Sequence, residues 1–286
     1  MKSSLSNFKS IIALFAYVLI STLVASLLIF LAEKIFPAGL SADNQWSNYV
    51  QVAIQTITIF GLPVLLFQSF NKRFEISIYP QKGFLKILVL GFVAWVLCYF
   101  PVNALWEINK AVQFPEFMSG IEQTLKTIQH QSEQFINEFM KYRGGFHLFM
   151  LIVLVGLLPA IFEELFFRGL LQQLISKMFN NIWTPIVITS IVFSVFHFEF
   201  YSFLPRVLLG ILLGVAFSAT GKLWLPMILH FINNLSSILF RQFIPEHKFE
   251  ELANATLGGY QWIVSIVSAI LLFYVLKTML KERSSH

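Results

Sequence analysis

Charge is what this sequence has least of. Charged residues make up 12% of its 286 positions, against 57% hydrophobic ones, and the mean hydropathy is +0.72. So few charges cannot cover the surface of a water-soluble domain, which excludes that class and implies an integral membrane protein. Cysteine is nearly absent: Cys98 stands alone inside an apolar run, so no intrachain disulfide can form, and its expected role is that of a small packing residue. No internal repeat or low-complexity tract divides the chain, and 1–286 reads as a single integral membrane domain. The first apolar run follows "MKSSLSNFKS" without a small-x-small cleavage site, so a retained anchor is expected rather than a cleaved leader. No basic-aromatic motif is present either. The formal charge of +5 therefore argues for orientation against lipid and not for nucleic acid.

What is present is a series of apolar runs, each of about 18 or more residues, enough to cross about 30 Å of hydrocarbon. They lie near residues 10–32, 49–70, 84–105, 147–177, 182–200, 203–220, 223–242 and 260–280. The expected fold is all-α, a polytopic membrane helix bundle of about eight transmembrane helices. Eight crossings put both termini on one side. Lys2, Lys9, Lys72, Arg73, Lys82, Lys86, Lys177, Lys222, Lys277, Lys281 and Arg283 then share that side, which the positive-inside rule makes the cytoplasm. In a bacterium the membrane would be the plasma membrane. The opposite loops hold Lys34, Lys110, Lys126, Lys141, Arg143, Arg206, Arg241 and Lys248 together with most of the acids. The one long polar insert, 106–146, falls on the non-cytoplasmic side. Within it Phe114, Phe117, Met118, Ile121, Leu125 and Ile128, then Phe135, Ile136, Phe139 and Met140, recur at helical spacing. They predict one or two amphipathic helices that lie on the bilayer or cap the bundle, as a packed connector or as a substrate gate.

Three polar interruptions break the later runs. In "FEELFFRG", Glu164 and Arg168 are four apart and share a helix face, so they can pair. Glu163 points about 140° away from Arg168 at 100° per residue, which leaves its carboxylate free for chemistry. "FSVFH" sets Phe193 and His197 four apart, and "HFINN" does the same for His230 and Asn234. Counted from the expected cytoplasmic ends at a rise of about 1.5 Å per residue, Glu163 and His197 lie about 20 Å deep and Asn234 about 16 Å. One polar pocket could gather them. Ionisable groups at such depth are functional candidates, although tying helices together is a bland alternative.

In order, EExxxR (Glu163, Glu164, Arg168), FxxxH (Phe193, His197) and HxxxN (His230, Asn234) resemble the motifs of the CPBP intramembrane proteases. This family is also called the CAAX protease or Abi family and includes the type II CAAX prenyl endopeptidases. The resemblance spans 147–240, a CAAX protease-like catalytic core. It implies hydrolysis of a peptide bond in a membrane-associated protein or peptide, with the bilayer as the working medium. Glu163 would act as general base toward a water held jointly by His197. His230 and the Asn234 amide would donate to the oxyanion. Glu164, Arg168 and Phe193 would support them.

Members are also described as metal-dependent, and Glu163, His197 and His230 could supply three ligands to zinc. There is no HExxH, and a metal-free site requiring no cofactor is the expectation, with zinc the alternative. A non-catalytic scaffold or bacteriocin self-immunity protein of the same fold is a second reading. A proton-coupled transporter is a third, disfavoured by the lack of repeated halves. Neither the substrate, whether prenylated CAAX protein, pheromone or bacteriocin precursor, nor the oligomeric state follows from the residues.

Overall fold

A computed structural model describes residues 2–35, 45–71, 76–80, 83–112, 114–244, 248 and 260–282. The chain is a polytopic helix bundle, with no strand among the described residues. In order, its helices are α1 (Lys2–Ile35), α2 (Gln45–Phe70), α3 (Phe84–Lys110), α4 (Ser119–Lys141), α5 (Gly145–Ser176), α6 (Trp183–Val195), α7 (Phe203–Thr220), α8 (Trp224–Phe243) and α9 (Tyr260–Glu282). Each expected apolar run coincides with one of these. Six, namely α1, α2, α3, α5, α7 and α9, are long and apolar enough to cross a membrane. The sixth helix is shorter than expected, and in α8 the polar residues His230, Asn233 and Asn234 dilute the hydropathy. Of the cations used to orient the chain, Lys72, Arg73, Lys82 and Arg283 lie outside the described residues.

The helices pack around three apolar clusters. Residues of α3, α6, α7, α8 and α9 form the first, among them Ile87, Ile186, Leu212, Leu225 and Leu276. A second joins α1, α2, α5 and α6 through Leu14, Phe67, Phe167 and Phe193. A third, with Tyr49, Phe139, Leu151 and Ile238, pins the end of α4 against α2, α5 and α8.

Backbone polar groups freed within lipid must find partners inside the protein. Pro101, inside α3, brings no N–H to the Leu97 carbonyl four residues earlier. Ser268 of α9 donates its hydroxyl to that oxygen at 3.0 Å, and Ser265 donates to Phe100 at 3.0 Å, so α9 is bonded to α3 where the helix is interrupted. The first turn of α8 follows Gly221, whose φ of 64° is the left-handed conformation that ends α7.

α5 and α7 run side by side in the same direction. Arg168 and Gln172, one turn apart on α5, donate to the carbonyls of Gly210 and Gly214, one turn apart on α7, each at 3.0 Å. Glycine is required at 210: a Cβ there would come within 2.8 Å of the Ser190 Cβ on α6. This close approach lets α7 reach the arginine.

The polar insert forms a single long helix, α4, preceded by a short 3-10 turn, Glu116–Met118. Its C-terminal half is docked: Phe139 is buried, Arg241 Nη1 donates to Asn137, and Gln242 Nε2 donates to the Met140 carbonyl. The turn before it and its N-terminal half leave Phe117 and Ile121 exposed, at 87% and 53%. The helix thus caps one end of the bundle and presents apolar side chains outward beside it.

Candidate active site

Glu163 and Glu164 sit on the α-helical stretch Leu158–Phe166 of α5, between two π-helical turns, Ile152–Leu157 and Phe167–Gln172. Wide turns of this kind in a helix are frequent at functional sites. Glu164 is completely buried, and its Oε1 accepts two charge-assisted hydrogen bonds, from Arg168 Nη1 at 2.8 Å and from His230 Nδ1 at 2.9 Å. The pairing with Arg168 is the one its spacing predicts. The bond to His230, from a helix 66 residues away, is not visible in any local pattern. Arg168 is itself sealed at 0% exposure, with its guanidinium carbon 4.9 Å from the centre of the Phe193 ring.

His197 and His230 converge on Glu163. Their Nε2 atoms lie 3.9 Å and 4.0 Å from Glu163 Oε2. Those gaps are too long for direct hydrogen bonds and suited to a shared water. Each ring is anchored through its other nitrogen. His197 Nδ1 lies 2.8 Å from the Phe193 carbonyl, which can only accept, and His230 Nδ1 faces the Glu164 carboxylate. In the neutral rings both Nδ1 atoms therefore carry the proton, and both Nε2 lone pairs face Glu163. The Phe193 ring stands beside both, with centroids 4.8 Å from His197 and 5.8 Å from His230.

His197 differs from its expected place in the body of a membrane helix. α6, started by an Asn181 cap on the Thr184 N–H, ends at Val195. The chain then tightens, with the His197 and Phe198 N–H groups bonded three residues back, and Phe198 takes a positive φ of 54°. Left-handed backbone at a non-glycine residue costs energy and ends the helix, so His197 lies in a turn after it.

Asn234 is employed otherwise than expected. Its amide nitrogen lies 3.3 Å from the Val155 carbonyl and 3.4 Å from that of Gly156. Pro159 brings no N–H to Val155, four residues earlier, so Asn234 repairs the backbone of α5 two turns before Glu163. In this structure the Asn234 amide nitrogen is thus turned toward the backbone of α5.

In the sequence Arg206 stands only as a topological cation, because "FLPRVLLG" gives it no motif. The turn at 196–202 folds α7 back, so Arg206 pairs with Glu199, two residues beyond His197. Glu199 also lines a cleft of about 360 Å³ beneath α4, with Trp106, Lys110, Glu133, Tyr201 and Arg241.

As a zinc site the three donors have suitable chemistry, with each imidazole held from behind. Their spacing does not match a preformed one: tetrahedral bonds of about 2.0–2.1 Å set ligand atoms about 3.3 Å apart, closer than the 3.9 and 4.0 Å here. Among the described residues no three His, Cys, Asp or Glu side chains form a group able to hold an ion.

Comparison with known proteins finds similarity over this part of the chain. Residues 145–236 match the family model described as type II CAAX prenyl endopeptidase Rce1-like. The chain is similar to the uncharacterized protein YpbD of Bacillus subtilis (strain 168), with 36% identity over 85 residues. That match takes in 28% of this chain and 40% of the length of YpbD. No solved structure matches. All seven motif residues, from Glu163 to Asn234, fall within the matched segment, so over residues 145–236 the chain is similar to the Rce1-like type II CAAX prenyl endopeptidases.

Proposed function

We propose that the protein is an intramembrane endopeptidase that hydrolyses a peptide bond in a membrane-associated protein or peptide. The observation that carries this reading is the facing of the Glu163 carboxylate by two imidazole Nε2 atoms, each ring oriented from behind by an acceptor. Such a gap holds a water between a base and a hydrogen-bond acceptor.

The chemistry follows from those groups. Glu163 takes one proton from the water, while the His197 Nε2 lone pair accepts its other hydrogen. The water oxygen bonds to the carbonyl carbon, and the carbonyl π pair moves onto its oxygen. When the tetrahedral adduct collapses, the C–N bond breaks, and the proton held by Glu163 passes to the leaving nitrogen. Glu164, joined to both Arg168 and His230, fixes the His230 ring and keeps the wall of the site rigid. This route is metal-free, in keeping with the spacing of the donors.

Cleavage in native membranes tests the proposal. New peptide termini should appear in membranes that contain the wild-type chain and be missing with Glu163→Gln. Identical termini in both would overturn it.

A further inference from the structure

His197 lies in the turn between α6 and α7, and a group carried by a turn is placed no better than the turn is held. This turn needs holding. Phe198 has a left-handed backbone, which persists only where its surroundings fix it. One water can bridge His197 Nε2 and Glu163 Oε2 only while the 3.9 Å between them is kept.

Part of the support comes from the two flanking helices: Ser194 Oγ of α6 donates to the Phe203 carbonyl at 2.8 Å, and Arg206 of α7 pairs with Glu199. The rest comes from outside them, chiefly from α3. Asn109, the second-last residue of that helix, is only 2% exposed. Its Oδ1 accepts the Leu204 N–H at 2.8 Å, and its Nδ2 donates to the Phe200 carbonyl at 2.8 Å. These partners settle which way the amide points, because a backbone N–H can only donate and a carbonyl can only accept. Leu204 is the second residue of α7, so its N–H belongs to the first turn, whose donors lack partners inside a helix. Phe200 lies three residues after His197. One side-chain amide therefore ties the turn to the start of α7 and fastens both to α3. From α4, Gln129 Oε1 adds a longer contact with the Tyr201 N–H, 3.3 Å.

We propose that Asn109 is a positioning residue of the active site: by locking the junction of the turn with α7, it holds His197 at its working distance from Glu163. This rests on the proteolytic reading above. Asn109 stands in "WEINKAV", in none of the three motifs and outside residues 145–236. It acts through the backbone and touches no reacting atom.

The test uses the full-length protein in detergent, with nitrogen-labelled histidine for magnetic resonance. Its substrate is a fluorogenic peptide of a sequence that the wild-type chain itself cleaves, found from new termini in native membranes. Asn109→Leu keeps much of the shape and loses both hydrogen bonds. It should lower kcat by about 10–10²-fold with little change in KM. The His197 ring resonances, assigned with His197→Ala, should shift or double. Those of His147, bonded to Tyr49 at the start of α5, should stay in place. Asn109→Asp still accepts the Leu204 N–H and should show a smaller change in both readouts, which also serves if Asn109→Leu does not fold.

A lowered melting temperature with kcat and the His197 resonances unmoved would make Asn109 a simple helix tie and overturn the proposal. So would a rise in KM alone. Failure of the proteolytic reading has a separate signature, namely cleavage that persists in Glu163→Gln, and the resonance measurement needs no cleavage at all.

Discussion

Glu164 Oε1 receives His230 Nδ1 at 2.9 Å, on the same oxygen that receives Arg168 Nη1 at 2.8 Å. One carboxylate thus joins two motifs on separate helices. Glu164→Ala removes the partner of a fully buried guanidinium and should cost about 3–5 kcal/mol, read as a lowered melting temperature in detergent. Glu164→Ala combined with Arg168→Met should recover part of that loss without restoring activity, because His230 still lacks its anchor. Equal melting temperatures for Glu164→Ala and wild type would contradict the pairing.

Glu163 has no hydrogen bond within the protein through Oε2, and only the 4.0 Å approach of His230 Nε2 links it to the Glu164 network. Glu163→Gln and His197→Ala should therefore abolish cleavage while leaving melting temperature and helix content near wild type. Activity close to wild type in purified Glu163→Gln would remove the proposed general base.

Asn234 and Pro159 should be coupled. Asn234→Ala leaves the Val155 carbonyl unpaired in the membrane interior and should cost about 1–3 kcal/mol. Pro159→Ala restores the N–H that Val155 lacks, so the same Asn234→Ala change in that background should cost less. A double-mutant cycle on melting measures the difference. Strict additivity would mean that Asn234 does not serve the backbone of α5.

Exhaustive treatment with a membrane-permeant chelator should leave cleavage unchanged, and elemental analysis should find far less than stoichiometric zinc. Zinc bound one-to-one and lost in His197→Ala and His230→Ala would replace the metal-free route and leave the endopeptidase reading in place.

Gly210→Ala should loosen the contact of α6 with α7, since its Cβ would meet Ser190 at 2.8 Å. A cost of about 1–3 kcal/mol is expected for such overpacking. Ser190→Gly in the same chain should relieve part of it, as read by thermal unfolding.

The helices, the membrane class and the Glu164–Arg168 pair were legible in the sequence, because each depends on composition or on spacings within one or two turns. Arg168 meets Glu164 through the period of a helix, with no other element involved. The length of α6 was not legible in this way: apolar residues continue past Val195, and only the left-handed turn at Phe198 ends the helix and sets His197 beyond it. The sequence likewise marked Asn234 as polar in an apolar run but could not tell whether its amide faces a substrate or a backbone. That choice follows from Pro159 lying opposite it on α5, 75 positions earlier. Arg206 carried no motif at all, and its pairing with Glu199 comes from the chain folding back at 196–202. Periodicity determines which face of a helix a residue occupies; the rotation and axial offset of one packed helix against another decide what that face meets, and those are set by the interlocking of side chains across the whole bundle.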